Sequence, residues 1–161
     1  MQEGNRKLCR GESLTLPSIQ ISSTSGFYSG ASRYGKANGY GRWFREAGSM
    51  KYKGFWVDNN FEGQGTSYHR NSKKDYEGEW SNSKRNGLGK SFFRKHERLM
   101  YDGQWKNNKH HGEGTQYYSN GKMHYKGNWT HGKQQGRGVF FDESGVKVYD
   151  ANFVDGKLQG K

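Results

Sequence analysis

The chain has 161 residues, enough for one ordinary domain, with 29% hydrophobic residues and a formal net charge of +12. So few aliphatic side chains exclude a two-layer core of Leu, Ile and Val, and low hydropathy with excess charge would alone suggest disorder. The rings exclude that reading: Tyr 11, Phe 9 and Trp 5 supply more than half of the hydrophobic complement, whereas disordered chains are aromatic-poor.

In chain order, residues 1–26 come first, rich in Ser and Thr and carrying Arg6, Lys7 and Arg10. They lack the apolar h-region of a secretory signal and read as a basic leader, extended or docked on a partner. Cys9 is the single cysteine, which excludes an internal disulfide and a multi-cysteine metal site. No apolar run approaches the ~20 residues a bilayer-spanning helix needs.

A periodic array occupies residues 27–161. Tyr28 and Gly30 open it, with Ser32 where the later units carry Trp, followed by Gly39, Gly41 and Phe44. Four stricter units follow, built on Tyr52-x-Gly54-x-Trp56, Tyr76-x-Gly78-x-Trp80, Tyr101-x-Gly103-x-Trp105 and Tyr125-x-Gly127-x-Trp129. Each leads at the same distance to a Gly-x-Gly (Gly63/Gly65, Gly87/Gly89, Gly112/Gly114, Gly136/Gly138) and then an aromatic (Tyr68, Phe92, Tyr117, Phe141). The tyrosines step by 24, 25 and 24 residues. A sixth, worn unit begins at Tyr149, with Ala151 and Phe153 in place of Gly and Trp. Degenerate end units are what a solenoid requires, since each lacks a neighbour on one side.

Each unit reads as two short strands. Tyr-x-Gly-x-Trp has period 2, which puts Tyr, Gly and Trp on one face. The residues between them are polar, with Phe55 the exception. Stretches such as Val57-Asp58-Asn59-Asn60 turn the chain, Gly-x-Gly-x-x-aromatic returns it, and Asn120-Gly121 and Ser144-Gly145 carry hairpin-turn chemistry. The extra residue of the 25-residue step falls near Lys95-His96-Glu97, as a longer turn. The expected fold is all-β: an elongated single-layer antiparallel sheet of consecutive hairpins, about eleven strands long. In it the rings stack along the sheet, and all three glycines of a unit form the floor beneath them.

This pattern resembles the MORN repeat, over residues 28–160. The resemblance implies a MORN-repeat solenoid. It also implies the kind of role held by MORN proteins without a catalytic domain, as assembly components of cytoskeletal structures that include the radial spokes of ciliary axonemes.

Chemistry-bearing motifs are weak. Gly87-Leu88-Gly89-Lys90-Ser91 ends like a phosphate-binding loop, but Lys84 stands where its first glycine belongs. The histidines occupy different repeat positions, with His110 and His111 expected in a turn. No nucleophile sits with a base, so neither an enzyme nor a cofactor is expected.

The expected function is a non-enzymatic scaffold, cytoplasmic and cytoskeleton-associated, binding other protein subunits as a homo- or hetero-oligomer. The expected groove is formed by Tyr52, Trp56, Tyr76, Trp80, Tyr101, Trp105, Tyr125 and Trp129, with Phe55 as a contact on the polar face. Arg70, Lys73, Lys74, Lys84, Arg85, Lys90, Arg94 and Lys95 are the candidate contacts to an acidic protein surface. The alternative is a membrane-tethering module holding anionic phospholipid through the same residues. Nucleic acid is not expected, because the rings recur where the fold itself needs them.

Overall fold

The computed structural model describes residues 18–23 and 26–159, with side chains from Gly26 onward. Among the described residues, thirteen strands form one antiparallel sheet in strict chain order. They are β1 (Ser18–Ser23), β2 (Gly26–Arg33), β3 (Lys36–Arg45), β4 (Met50–Val57), β5 (Asn60–Tyr68), β6 (Lys74–Ser81) and β7 (Lys84–Phe92). After them come β8 (Leu99–Lys106), β9 (Lys109–Tyr117), β10 (Met123–Thr130), β11 (Lys133–Phe141), β12 (Lys147–Val154) and β13 (Lys157–Leu158). The sheet is single-layered, as the repeat pattern implies. Two strands exceed the expected eleven: β13, and β1, which pairs with β2 from within the segment read as leader. Of the rest of that leader, residues 1–17 and 24–25 lie outside the described residues and Gly26 opens β2.

Every unit closes through a two-residue turn in which both residues have positive φ. The turn residues are Tyr34-Gly35, Asp58-Asn59, Asn82-Ser83, Asn107-Asn108, His131-Gly132 and Asp155-Gly156. This left-handed pair matches the right-handed twist of the strands, and Asn, Asp and Gly tolerate it best. The Asn120-Gly121 and Ser144-Gly145 signals fall instead in the five-residue connections between units. The connection between β7 and β8 has six residues, 93–98, and absorbs the irregular step.

The tyrosines are the centre of the packing. Tyr52, Tyr76, Tyr101 and Tyr125 have 0% exposure, and Tyr28 has 1%. Each hydroxyl donates to the carbonyl three residues on, at 2.5–3.2 Å, so the ring lies flat along its own strand. Beneath it the backbone is bare. A Cβ built on Gly65 would stand 2.1 Å from the Tyr52 hydroxyl, and Gly89 repeats this against Tyr76. Gly54 faces Gly65 across the ladder, as Gly78 faces Gly89, giving each ring a floor of two paired glycines.

The tryptophans do not stack on the tyrosines as expected. They meet them edge to face, the arrangement the ring quadrupole favours. Tyr76 contacts its own Trp80 at 5.1 Å and the next unit's Trp105 at 5.3 Å. Tyr52 with Trp80 and Tyr101 with Trp129 repeat the bridge between units. Trp80, Trp105 and Trp129 also donate their indole N–H to the carbonyls of Gly65, Gly89 and Gly114 at 2.9–3.2 Å.

The first glycine of each Gly-x-Gly is not floor. Gly63, Gly87, Gly112 and Gly136 take φ of 60°, 96°, 56° and 67°, a conformation that suits glycine. Each sits where the hairpin register jumps, as when Gly54↔Gly65 is followed by Phe55↔Glu62. These are β-bulges, which bend and twist the sheet once per unit.

Two glycine substitutions separate crowding from backbone strain. Gly89→Ala forces a methyl into the Tyr76 ring and is expected to cost about 3 kcal/mol or more. Gly121→Ala, at φ +91° with nothing within 4 Å, should cost only about 1–2 kcal/mol. Urea unfolding of the two variants checks the difference, and equal losses would contradict the floor.

Candidate functional site

On the ring face, little is left for a partner. Trp56, Trp80, Trp105 and Trp129 are 3–7% exposed, and the tyrosines between them are sealed. The expected open groove of Tyr52, Trp56, Tyr76, Trp80, Tyr101, Trp105, Tyr125 and Trp129 is therefore corrected. These rings are one another's core rather than an open groove.

A second layer closes the tyrosine faces. Nine residues after each repeat tyrosine stand Ala37, Phe61, Arg85, His110 and Gln134; fifteen after stand Trp43, Ser67, Ser91, Gln116 and Phe140. Where the first is bulky the second is small or polar, and where the first is Ala or Gln the second is Trp or Phe. Phe61 lies parallel on Tyr52 at 3.8 Å, and His110 on Tyr101 at 3.7 Å. The Arg85 guanidinium sits 4.9 Å from the Tyr76 ring and 5.2 Å from Trp105, anchored by Asp75 at 2.7 Å. The tip of the next hairpin clamps each such residue. Asn59, Ser83 and Asn108 donate their backbone N–H to the carbonyls of Ala37, Phe61 and Arg85. Their side-chain oxygens accept the corresponding N–H groups in return.

His110 is accordingly a strand residue of the packing layer, not a turn residue. Burial, and next the positive charge of Arg85, push its pKa down to about 4. His111, its neighbour in β9, lies 5.9 Å from His131. No group of three or more metal-ligating side chains converges among the described residues. Gly87-Leu88-Gly89-Lys90-Ser91 is all strand, within β7, rather than a loop before a helix.

The eight basic candidates do not form one surface. Arg70, Lys73, Lys74, Arg94 and Lys95 gather along the edge where units connect, beside a cavity of about 380 Å³ lined by Arg45, Tyr68, His69, Arg70, Asp75 and Arg94. Arg45 is tied into this edge by hydrogen bonds to the carbonyls of Met50 and Tyr68. Lys84 lies at the opposite, hairpin-tip edge. Lys90 stands mid-strand and pairs with Asp102 at 3.5 Å. Arg85, committed to Tyr76 and Asp75, is not a free cation.

The face away from the rings is open. Cross-strand register lines up two central rows on it. One runs Arg42, Lys53, Thr66, Glu77, Lys90, Asp102, Thr115, Lys126, Val139, Asp150. The other contains the pairs Tyr40/Phe55, Gln64/Glu79, Leu88/Gln104, Glu113/Asn128 and Arg137/Asn152. Together they hold five basic and five acidic residues, so the chain's excess of +12 is carried elsewhere. Leu88 is 61% exposed, Tyr40 51% and Phe55 50%, the last two meeting edge to face at 5.7 Å. A trough of about 690 Å³ runs from Leu88 past Asp102, Glu113 and Lys126 to Val139 and Asp150. Of the expected contacts, Phe55 alone is an exposed ring here; Tyr40 and Leu88 were missed. The period-2 reading of their strands would have found both.

A one-layer sheet of clamped hairpins, closed by rings on one face and open on the other, defines a repeat-built interaction platform. The MORN repeat family profile matches residues 28–50, 52–72, 76–98, 101–123 and 125–147, and the chain belongs to the MORN-repeat family. Members of this family generally interact with proteins or membranes. The five matched units include the first, with Ser32 in place of Trp; the worn sixth lies outside the match. No curated protein matches the chain.

The His110 seat makes stability depend on pH. In the unfolded chain this histidine titrates near 6.5, so between about 6.5 and 4 only the unfolded state takes up the proton. Its contribution is complete above pH 6.5 and is lost as pH falls toward 4. The loss should reach about 2 kcal/mol after allowance for solvent screening. His110→Phe, which copies Phe61, should remove that slope. Urea unfolding from pH 7.5 to 4 reads it, and parallel curves for the two proteins would disprove the assignment.

Proposed function

We propose that this chain is a non-enzymatic scaffold subunit that holds other protein subunits on its open face. The single observation that carries this reading is the exposure of Tyr40, Phe55 and Leu88 in the central rows of a charge-balanced face. Large apolar side chains exposed on a face the fold does not close, Leu88 at the trough and Tyr40 with Phe55 at a smaller hollow of about 200 Å³, suit burial by a protein partner. Balanced charge around them favours a specific, salt-bridged fit over indiscriminate attraction. The proposed setting is a cytoplasmic, cytoskeleton-associated assembly such as a radial spoke of a ciliary axoneme. The support for that setting is the resemblance to repeat-only members of the family.

A second reading has its own observation. Arg70, Lys73, Lys74, Arg94 and Lys95 lie along one edge, Lys74 paired with Glu77 at 3.0 Å, so anionic phospholipid headgroups could meet several cations at once while the sheet stands edge-on to a membrane.

Affinity purification of the full chain from its native cells tests the first reading. The doubly substituted Phe55→Ser, Leu88→Ser protein should lose its protein partners at least about tenfold, with little change in thermal unfolding, because neither side chain enters the buried ring core and Phe55 gives up only its surface contact with Tyr40. Full retention of the same partners by that folded variant would sink the open-face scaffold. Flotation with phosphatidylserine vesicles tests the second. Binding should fall steeply with salt and vanish when the five edge residues become Gln. If no vesicles bind at low salt, the lipid reading is out.

A further inference from the structure

The planar seat over each tyrosine is filled from within the chain in the second, third and fourth units. Phe61, Arg85 and His110 occupy it, paired across the hairpin with Trp56, Trp80 and Trp105. In the first unit the same cross-strand pair is Ser32 and Ala37. Two large groups are therefore missing from one place. A cavity of about 250 Å³ is left there, lined by Tyr28, Gly35, Ala37, Trp43, Trp56 and Asn59.

Trp43 compensates only in part. It packs against the core beside Tyr28, but its ring lies 6.4 Å from Trp56 and tilted by 44°, looser than the edge-to-face contacts of the later units. Trp56 carries a second mark. Trp80, Trp105 and Trp129 each donate their indole N–H to a glycine carbonyl, whereas the buried Trp56 Nε1 has no hydrogen-bond partner among the described residues. An apolar cavity of about 150 Å³ already accepts benzene in another protein, so this one has room for a substituted ring.

We propose that this cavity is a binding seat for one planar aromatic side chain of a partner polypeptide, received as Phe61 is received in the next unit. The alternative planar group, a guanidinium, lacks its anchor here. Arg85 is held by Asp75, the residue before its tyrosine, and the residue before Tyr28 is Phe27, stacked on Phe44 at 4.8 Å. Among the described residues, the cavity lining contains no carboxylate. The seat lies among the rings, on the face opposite Phe55 and Leu88, so it is a docking point separate from the open face and stands or falls separately.

The test is titration of the ¹⁵N-labelled full chain with p-cresol, a tyrosine side-chain analogue, and with methylguanidine, read at the tryptophan indole resonances. p-Cresol should shift the Trp43 and Trp56 indole signals saturably and leave Trp80, Trp105 and Trp129 unmoved, while methylguanidine should shift none. Ala37→Phe, which fills the seat from inside, should weaken p-cresol binding at least about tenfold. Ala37→Gln, copying Gln134, should do the same and serves if the Phe variant does not fold. Absence of saturation, equal shifts at all five indoles, or undiminished binding in the folded variants would each overturn the seat. Methylguanidine binding as tight as that of p-cresol would overturn its aromatic selectivity.

Discussion

Everything in this sheet depends on a phenol ring lying flat on two paired glycines. A single layer has no opposing layer to bury against, so its apolar atoms must find cover within the sheet. The Tyr52 ring does so by resting on Gly54 and Gly65, where a Cβ would collide with it, and by donating its hydroxyl to the Phe55 carbonyl at 3.1 Å. The glycines weaken the strands by their own conformational entropy. That loss is offset by a buried ring, a satisfied hydroxyl and a close backbone approach that a larger residue would prevent. Tyr28, Tyr76, Tyr101 and Tyr125 repeat the solution, which makes the protein a row of equal and locally coupled packing events.

Coupling between units follows from the same geometry. A tyrosine edge is covered only when the next tryptophan arrives, and that tryptophan completes its hydrogen bonding on the preceding unit's second glycine, as Trp105 does on Gly89 at 2.9 Å. The clamp at the hairpin tips acts in the same direction, each turn fixing the residue that caps the previous tyrosine. Stability therefore flows between nearest neighbours, as in other solenoids. The ends are where the scheme is weakest. Tyr149, in the position of a repeat tyrosine, is 50% exposed, and its unit has Ala151 where the others carry glycine.

The periodicity of Tyr, Gly and Trp made the sheet, its strand order and its hairpins legible in the sequence, because period 2 and positive-φ turn residues are local signals. Position-specific roles were less legible. Gly63 and Gly65 look alike in sequence, yet one supplies a bulge and the other a floor, a difference set by ladder register. Arg85 looked like one more surface cation beside Lys84. Its residence between Tyr76 and Trp105 shows only when it is aligned with Phe61 and His110, since a guanidinium, an imidazole and a phenyl share flatness rather than polarity. The rings suggested a binding groove for the same reason they suggested a core: exposed or buried is decided by what covers them, and the reciprocal sizes of Phe61/Ser67 and Ala37/Trp43 were the overlooked sign of a cover.

This closure constrains where recognition can occur. A side chain that supports the fold in every unit cannot also be free to bind, so partner contacts must be sought where the repeat rule leaves a position unassigned. Phe55 occupies a position that later units fill with Glu79, Gln104 and Asn128, and Leu88 one that other units fill with Tyr40, Gln64, Glu113 or Arg137; the sheet buries neither. The Ser32/Ala37 pair is the complementary case, an assigned position that small residues leave to Trp43, which covers it only in part. One kind of departure adds a side chain the fold does not need, and the other withholds one it does. In a protein made of copies, both are read by the same comparison of one unit with the next, and both direct attention away from the most repeated residues.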